Sequence, residues 1–120
     1  MDGLVKGWYE NGNKKLEKNF KDGKRDGSSG MWYENGQKME EIMYKNDQKD
    51  GLETQWYENG QKKFEVNYKE GNVDGLVVSW HENGQKKGEV NYKDGKLVEG
   101  SAKYWNSKGE PVDSIEESRK

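Results

Sequence analysis

The chain is predicted to be all-β: a single-layer, twisted antiparallel meander of successive hairpins, extended rather than globular. Three observations predict it. First, a 24-residue unit recurs, with Trp8, Trp32, Trp56 and Trp80 at that interval, each opening one of the segments WYENGNK, WYENGQK, WYENGQK and WHENGQK. Self-similarity at this period marks a stack of identical supersecondary units. Second, each unit carries two turn signals, Glu-Asn-Gly and Lys-Asp-Gly or a variant, with a short β-prone run on either side of each. Third, hydrophobic residues make up 28% of the 120-residue chain and charged residues 37%, too little Leu, Ile, Val and Phe to fill a globular interior of this size. Five Trp and seven Tyr at regular positions argue against a disordered polymer of the same charge, because each large ring gains from removal from water.

The elements follow in order. The first turn of each unit is the Glu-Asn-Gly loop, and its length decides which residues share a face, since a one-residue slip moves every side chain to the other side. In the third unit a two-residue loop at Asn59-Gly60 would separate Trp56 and Leu52 from Phe64, Val66 and Tyr68. A three-residue loop, with Glu58 and Asn59 in a type I turn and Gly60 left-handed, gathers Leu52, Thr54, Trp56, Phe64, Val66 and Tyr68 on one face. Burial selects the second register. The second turn, Lys69-Glu70-Gly71, is assigned the same three-residue arithmetic and carries that face onward to Leu76, Val78 and Trp80. Asp47 stands where the other units have Gly, tolerable because Asp enters the left-handed region more readily than most residues, and this turn is expected to be the least stable.

The expected aromatic face therefore carries Trp8, Trp32, Trp56 and Trp80 together with Phe20, Tyr44, Phe64, Tyr68 and Tyr92. The expected opposite face is solvated and charged, with Lys15, Glu17, Asn19, Lys63, Glu65, Asn67, Lys87 and Glu89, and with Tyr9, Tyr33 and Tyr57 beside the turns. Gly100 precedes Trp105 by five residues, as Gly75 precedes Trp80, so a fifth unit begins after a one-residue insertion within Lys96-Leu97-Val98-Glu99, where a bulge is expected. One domain is assigned: residues 1–110 as the repeat array, about four and a half units, and residues 111–120 as a polar tail or short capping turn. Within that tail Ser114 and Glu117 have the spacing of a helix N-cap box.

Composition also limits function. Lys+Arg 21 against Asp+Glu 23, with both signs mixed, lacks the basic footprint of a nucleic-acid binder. The absence of cysteine excludes disulfides and thiolate metal sites, and no cofactor is indicated. The start, Met1-Asp2-Gly3-Leu4-Val5-Lys6, shows no basic region followed by an apolar stretch, and no run has the length of a membrane span, so a cytoplasmic location is expected. Catalysis needs a nucleophile, a tuned acid or base, or a metal in a sheltered cleft. The single histidine, His81, occupies the column of Tyr9, Tyr33 and Tyr57 and reads as an aromatic variant of it. The string Asp22-Gly23-Lys24-Arg25-Asp26-Gly27 lacks the alternating carboxylates and closing Glu of a calcium loop. No catalytic or metal site is predicted.

The block Trp56 to Lys62, W-Y-E-N-G-Q-K, with F-E-V-N-Y-K-E-G from Phe64 to Gly71 and the Asp74-Gly75 close, resembles the MORN repeat, and more closely the variant form in bacterial YwqK-type antitoxin proteins. The similarity runs from Gly3 to about Gly109. The resemblance implies a single-layer sheet of hairpins, in agreement with the reading from the residues, and arrays that act as scaffolds, beside membranes or beside catalytic domains. The expectation is a non-enzymatic protein-interaction module that binds through the nine aromatic-face residues, with self-association a further use of the same patch. A toxin neutralised by an antitoxin-like module is the partner that the resemblance adds. A peripheral membrane, lipid-binding or scaffold module is the alternative. The mixed charge argues against a membrane, since attraction to anionic lipid grows with clustered Lys and Arg.

Overall fold

The computed structural model describes residues 2–119, so Met1 at the head of the array and Lys120 at the end of the tail lie outside it. Twelve strands are seen: β1 (Gly3–Trp8), β2 (Lys14–Lys21), β3 (Lys24–Trp32), β4 (Lys38–Lys45), β5 (Gln48–Trp56), β6 (Lys62–Lys69), β7 (Asn72–Val73), β8 (Gly75–Trp80), β9 (Lys86–Lys93), β10 (Lys96–Leu97), β11 (Lys103–Trp105) and β12 (Pro111–Val112). A short helix, α1 (Ile115–Ser118), follows. They form one antiparallel sheet in the order β1-β2-β3-β4-β5-β6-β8-β9-β11-β12, with β7 beside β6 and β10 beside β9. The strand order is the chain order, as a meander requires.

The sheet measures 48 × 37 × 14 Å with a radius of gyration of 16.5 Å. A globule of the same length would have roughly 13 to 14 Å. A thickness of 14 Å is one layer of backbone plus side chains, given that two packed sheets already stand ~10 Å apart between their backbones. The extended all-β fold expected from the repeat is thus the fold observed.

The first turn has the expected three-residue loop. Gly60 N–H donates to the Tyr57 carbonyl at 3.0 Å, Tyr57 N–H donates to the Gln61 carbonyl at 2.8 Å, and Gly60 has φ 89°. The second turn differs from the expected one. Lys69 pairs with Asn72 across a two-residue loop, and Glu70 (φ 50°) and Gly71 (φ 87°) are both left-handed, as a type I′ turn demands. Asn46 (φ 51°) and Asp47 (φ 66°) adopt the same turn. Asp47 Oδ1 accepts a bond from the Arg25 N–H at 2.7 Å, a contact glycine cannot make and one that offsets the cost of its backbone conformation.

The largest correction concerns the faces. Immediately after each three-residue loop the ladder skips a residue: Trp56 pairs with Lys62 but Gln55 pairs with Phe64, leaving Lys63 as the extra residue of a β-bulge. The same shift occurs at Gly7/Trp8, Met31/Trp32 and Ser79/Trp80. One extra residue exchanges the faces. Leu52, Thr54 and Trp56 therefore share a side with Lys62, Glu65 and Asn67, while Phe64, Val66 and Tyr68 lie on the other with Gln55, Glu53 and Gly51. The single aromatic face predicted from sequence does not exist. Trp8, Trp32, Trp56 and Trp80 stand on one side, and Phe20, Tyr44, Phe64, Tyr68 and Tyr92 on the other. The expectation rested on burial gathering apolar residues together, but a single layer leaves both sides open and gives burial no side to prefer. Burial is correspondingly sparse: among the described residues the buried apolar side chains are Ile42 and Val66 on the tyrosine side and Val78 on the tryptophan side.

The insertion before the fifth unit produces a turn instead of a bulge. Ser101 N–H donates to the Val98 carbonyl at 3.2 Å, Gly100 has φ 78°, and the strand is broken into β10 and β11. Beyond it, Pro111 and Val112, assigned from sequence to the tail, pair with Trp105 and Tyr104 and so extend the sheet. Ser114 Oγ accepts from the Glu117 N–H at 3.2 Å as an N-cap, and α1 packs against β9, β11 and β12.

Candidate functional site

The tryptophan side is built from rings, lysines and glutamates in register. Lys14, Lys38, Lys62 and Lys86 each make an ion pair with Glu17, Glu41, Glu65 and Glu89, at 2.7, 2.7, 2.9 and 2.8 Å. The same lysines lie over indole rings: Lys14 and Lys38 stand 5.1 and 5.4 Å from the Trp32 centroid, Lys62 5.6 Å from Trp80, and Lys86 5.6 Å from Trp105. Each lysine is thereby held between a carboxylate and a ring. The bond from Lys14 holds the Glu17 carboxyl below the ordinary carboxylate range, against the opposing effect of burial. Glutamates expected on a separate charged face are thus the partners of the tryptophan side. Its exposed apolar residues are Leu4, Trp8, Met43, Leu52 and Leu76, from 37% to 58% exposed.

On the opposite side Arg25 lies 4.4 Å from the Tyr44 centroid and Lys49 5.0 Å from that of Tyr68. Glu53, 4% exposed, sits between its register partners Ile42 and Val66 and accepts from Lys49 at 2.7 Å and from Gln55 at 3.2 Å. Burial alone would lower the Lys49 pKa, but the hydrogen bond and charge of Glu53, with Tyr68 and Tyr44, outweigh it and raise it.

Consecutive repeats are laced at their turns. The hydroxyls of Tyr9, Tyr33 and Tyr57 donate to the carbonyls of Trp32, Trp56 and Trp80 at 2.6, 2.7 and 2.7 Å. His81 Nε2 stands 3.0 Å from the Trp105 carbonyl, the same role taken by a ring nitrogen, and only a protonated Nε2 can fill it. Asn11, Asn35, Asn59 and Asn83 add amide bonds to the next turn, at the carbonyls of Glu34, Glu58, Glu82 and Ser107. These tyrosine and asparagine contacts were not foreseen from the sequence, although their strict recurrence in the W-Y-E-N-G block was the available signal. Tyr57→Phe is expected to lower stability by about 1 kcal/mol, the usual net worth of one hydrogen bond. Urea unfolding of the two proteins measures it, and an unchanged midpoint would show the lacing to be idle.

Among the described residues no group of three or more His, Cys, Asp and Glu converges as a metal site, and no helix is long and apolar enough to cross a membrane. Asp22 and Gly23, part of the calcium-loop-like string, form a two-residue turn.

An open, one-layer β-repeat array, laced turn to turn and carrying rings on both faces, defines the class of this protein: a repeat scaffold with large accessible surfaces. Matches to the MORN repeat variant family cover residues 1–22, 25–46, 49–70 and 73–94, and the chain belongs to that family. The repeats of this family generally serve as interaction modules, for proteins and for membranes, and are themselves non-catalytic units. No curated protein and no solved structure matches the chain.

Proposed function

We propose that the chain is a non-enzymatic protein-interaction module whose tryptophan side receives its partner. The supporting observation is the run of exposed apolar residues on that side, Leu4, Trp8, Met43, Leu52 and Leu76, in a single layer with no second layer to cover it. Exposed apolar surface of this kind, bordered by charge, is where proteins associate. Successive repeats advance by two strands, about 9.6 Å, so an extended partner lying across the strands meets Leu4, Leu52 and Leu76 at one position of the repeat, and in the second unit, where that position is Ser28, meets its pair partner Met43. The Lys–Glu pairs between the leucine and tryptophan stripes are already satisfied, which leaves polar partner groups little to gain there and favours an apolar segment. A toxin is the partner suggested by the resemblance to YwqK-type antitoxins. Of the nine aromatic residues singled out from sequence, Trp8, Trp32, Trp56 and Trp80 belong to this surface; Phe20, Tyr44, Phe64, Tyr68 and Tyr92 do not.

The test is capture of the partner from the native cell, followed by calorimetric titration with purified components. Trp56→Ala and Leu52→Ala are each expected to cost about 2 kcal/mol of affinity or more, as truncation of buried anchors does, while Tyr68→Ala leaves it unchanged in protein shown by circular dichroism to be folded. Loss of binding in Tyr68→Ala with both other variants unaffected would move the site to the opposite side. Salt-sensitive co-sedimentation with anionic vesicles, in place of a protein partner, would replace the reading with a lipid one.

A further inference from the structure

We infer that the grooves between successive tyrosines at the three-residue turns bind a basic peptide segment in polyproline II conformation, with one Lys or Arg side chain entering each groove. Two such grooves adjoin. One, of about 410 Å³, is lined by Tyr9, Tyr33, Glu34, Asn35 and Glu58. The next, of about 420 Å³, is lined by Tyr33, Tyr57, Glu58, Asn59 and Glu82. The second is the first displaced by one repeat, so they are one site present twice, with Tyr33 and Glu58 common to both. It is distinct from the surface proposed above, because these tyrosines belong to the side opposite the tryptophans.

The groove walls are fixed before any ligand arrives. Each ring is tied through its hydroxyl to a tryptophan carbonyl of the following repeat, at 2.6 to 2.7 Å, which removes most of the ordering cost of clamping a ligand between rings.

The chemistry of the ligand is indicated by the repeat itself. Lys15 lies 5.6 Å from the Tyr9 centroid and Lys63 5.9 Å from that of Tyr57, so the ring of this column accepts a cation. In the second unit Met39 stands at the position of Lys15 and Lys63, and among the described residues no cation lies over Tyr33. The ring shared by both grooves is thus left open to a cation from a ligand. The carboxylates Glu34, Glu58 and Glu82 also lack an ion-pair partner among the described residues, in contrast to Glu17, Glu41, Glu53, Glu65 and Glu89, each of which has its lysine. They lie close enough to the rings to be felt: burial first and Glu58 second raise the pKa of Tyr33, and burial and Glu82 do the same for Tyr57. An aromatic wall with an unpaired carboxylate at its rim suits an ammonium or guanidinium group.

Spacing fits a polyproline II segment and excludes a β-strand. Grooves one repeat apart are separated by about 9.6 Å. A polyproline II segment turns once every three residues and rises about 9.3 Å in doing so, so side chains at i and i+3 share a face at nearly that interval. A β-strand puts i and i+3 on opposite faces and cannot fill both grooves.

The experiment uses a fluorescent peptide of repeated Arg-Pro-Pro triplets, titrated by anisotropy against the full chain at low salt. Saturable binding is expected, with a Glu-Pro-Pro peptide inert and an Arg-Pro peptide, whose basic residues fall every second position, bound at least tenfold more weakly. Glu58→Gln and Met39→Lys are each expected to weaken binding about tenfold, the second by supplying Tyr33 with the lysine its neighbours already have. Glu99→Gln, an equal change of charge at a distant turn, leaves binding unchanged. Since Lys is native at the position of Met39 in the other units, that variant retains the fold. Absence of saturable binding, equal affinity for the two arginine spacings, or an effect of Glu99→Gln as large as that of Glu58→Gln would each overturn the inference.

Discussion

Lys49→Met is expected to destabilise the sheet by about 1–3 kcal/mol, more than loss of any of the four lysines on the tryptophan side. The reason is its partner. Glu53 is 4% exposed and flanked by Ile42 and Val66, and Lys49 supplies its bond at 2.7 Å, while the Gln55 amide at 3.2 Å is the remaining donor. Removing one member of a buried pair strands the other charge, typically at 3–5 kcal/mol. Lys49 is itself 35% exposed, so water screens part of that penalty and the expectation is reduced. The pairs on the other face have glutamates from 19% to 38% exposed, and they rank lower for the same reason.

Two further measurements identify the cause. The double variant Lys49→Met/Glu53→Met should recover most of the loss, because it replaces a half-broken ion pair by apolar side chains between Ile42 and Val66. Failure to recover would assign the effect to the lysine ammonium's own contact with the Tyr68 ring, whose centroid lies 5.0 Å away. The pH dependence has a definite sign. Lys49 has a raised pKa in the folded protein, so its contribution is complete below the unfolded value of about 10.4 and is lost as pH rises through the folded value. The gap in stability between the native protein and Lys49→Met should therefore narrow in that alkaline range and remain constant near neutrality.

The repeat made the hairpin order and the three-residue turn legible in the sequence, because both rest on local chemistry: Gly60 as the left-handed residue after Glu58-Asn59, and a period that cannot arise by chance. The faces were not legible for a different reason. Parity arguments assume an unbroken ladder, and the bulge at Lys63 carries no glycine or proline to announce it. It leaves one trace, the doubled lysines at Lys14-Lys15, Lys62-Lys63 and Lys86-Lys87. Around the bulge successive lysines reach rings on opposite sides, Lys62 at Trp80 and Lys63 at Tyr57. The two-residue second turn was missed because Glu70, a residue with no special liking for the left-handed region, occupies its first position at φ 50°. The tyrosine grooves were hidden because they depend on contacts 23 residues apart between neighbouring turns, as in the bond from Tyr33 to the Trp56 carbonyl.

Gly60→Val is expected to cost about 1–3 kcal/mol, the strain of holding a β-branched residue in the left-handed region, whereas Glu58→Ala in the same loop should fall within about 0.5 kcal/mol of the native protein. Space is not the obstacle. A β-carbon at Gly60 would meet the flexible Gln37 side chain no closer than 3.4 Å, so the penalty belongs to the backbone at φ 89°. The variant can relieve the strain by opening the loop only at further expense: the residue-60 N–H would leave the Tyr57 carbonyl, Gln61 N–H would leave Asn59 Oδ1 at 2.9 Å, and the Asn59 amide would leave the Glu82 carbonyl of the next turn, also at 2.9 Å. The second turn provides an internal control. Asp47 already occupies, at φ 66°, the place that Gly71 holds in the next unit, so Gly71→Asp should be tolerated far better than Gly60→Val, although both glycines have φ near 90°. Urea unfolding of the three single variants against the native chain decides the matter. If Glu58→Ala proves as damaging as Gly60→Val, the loop is held by its side chains and not by the left-handed glycine, and the account of the first turn fails.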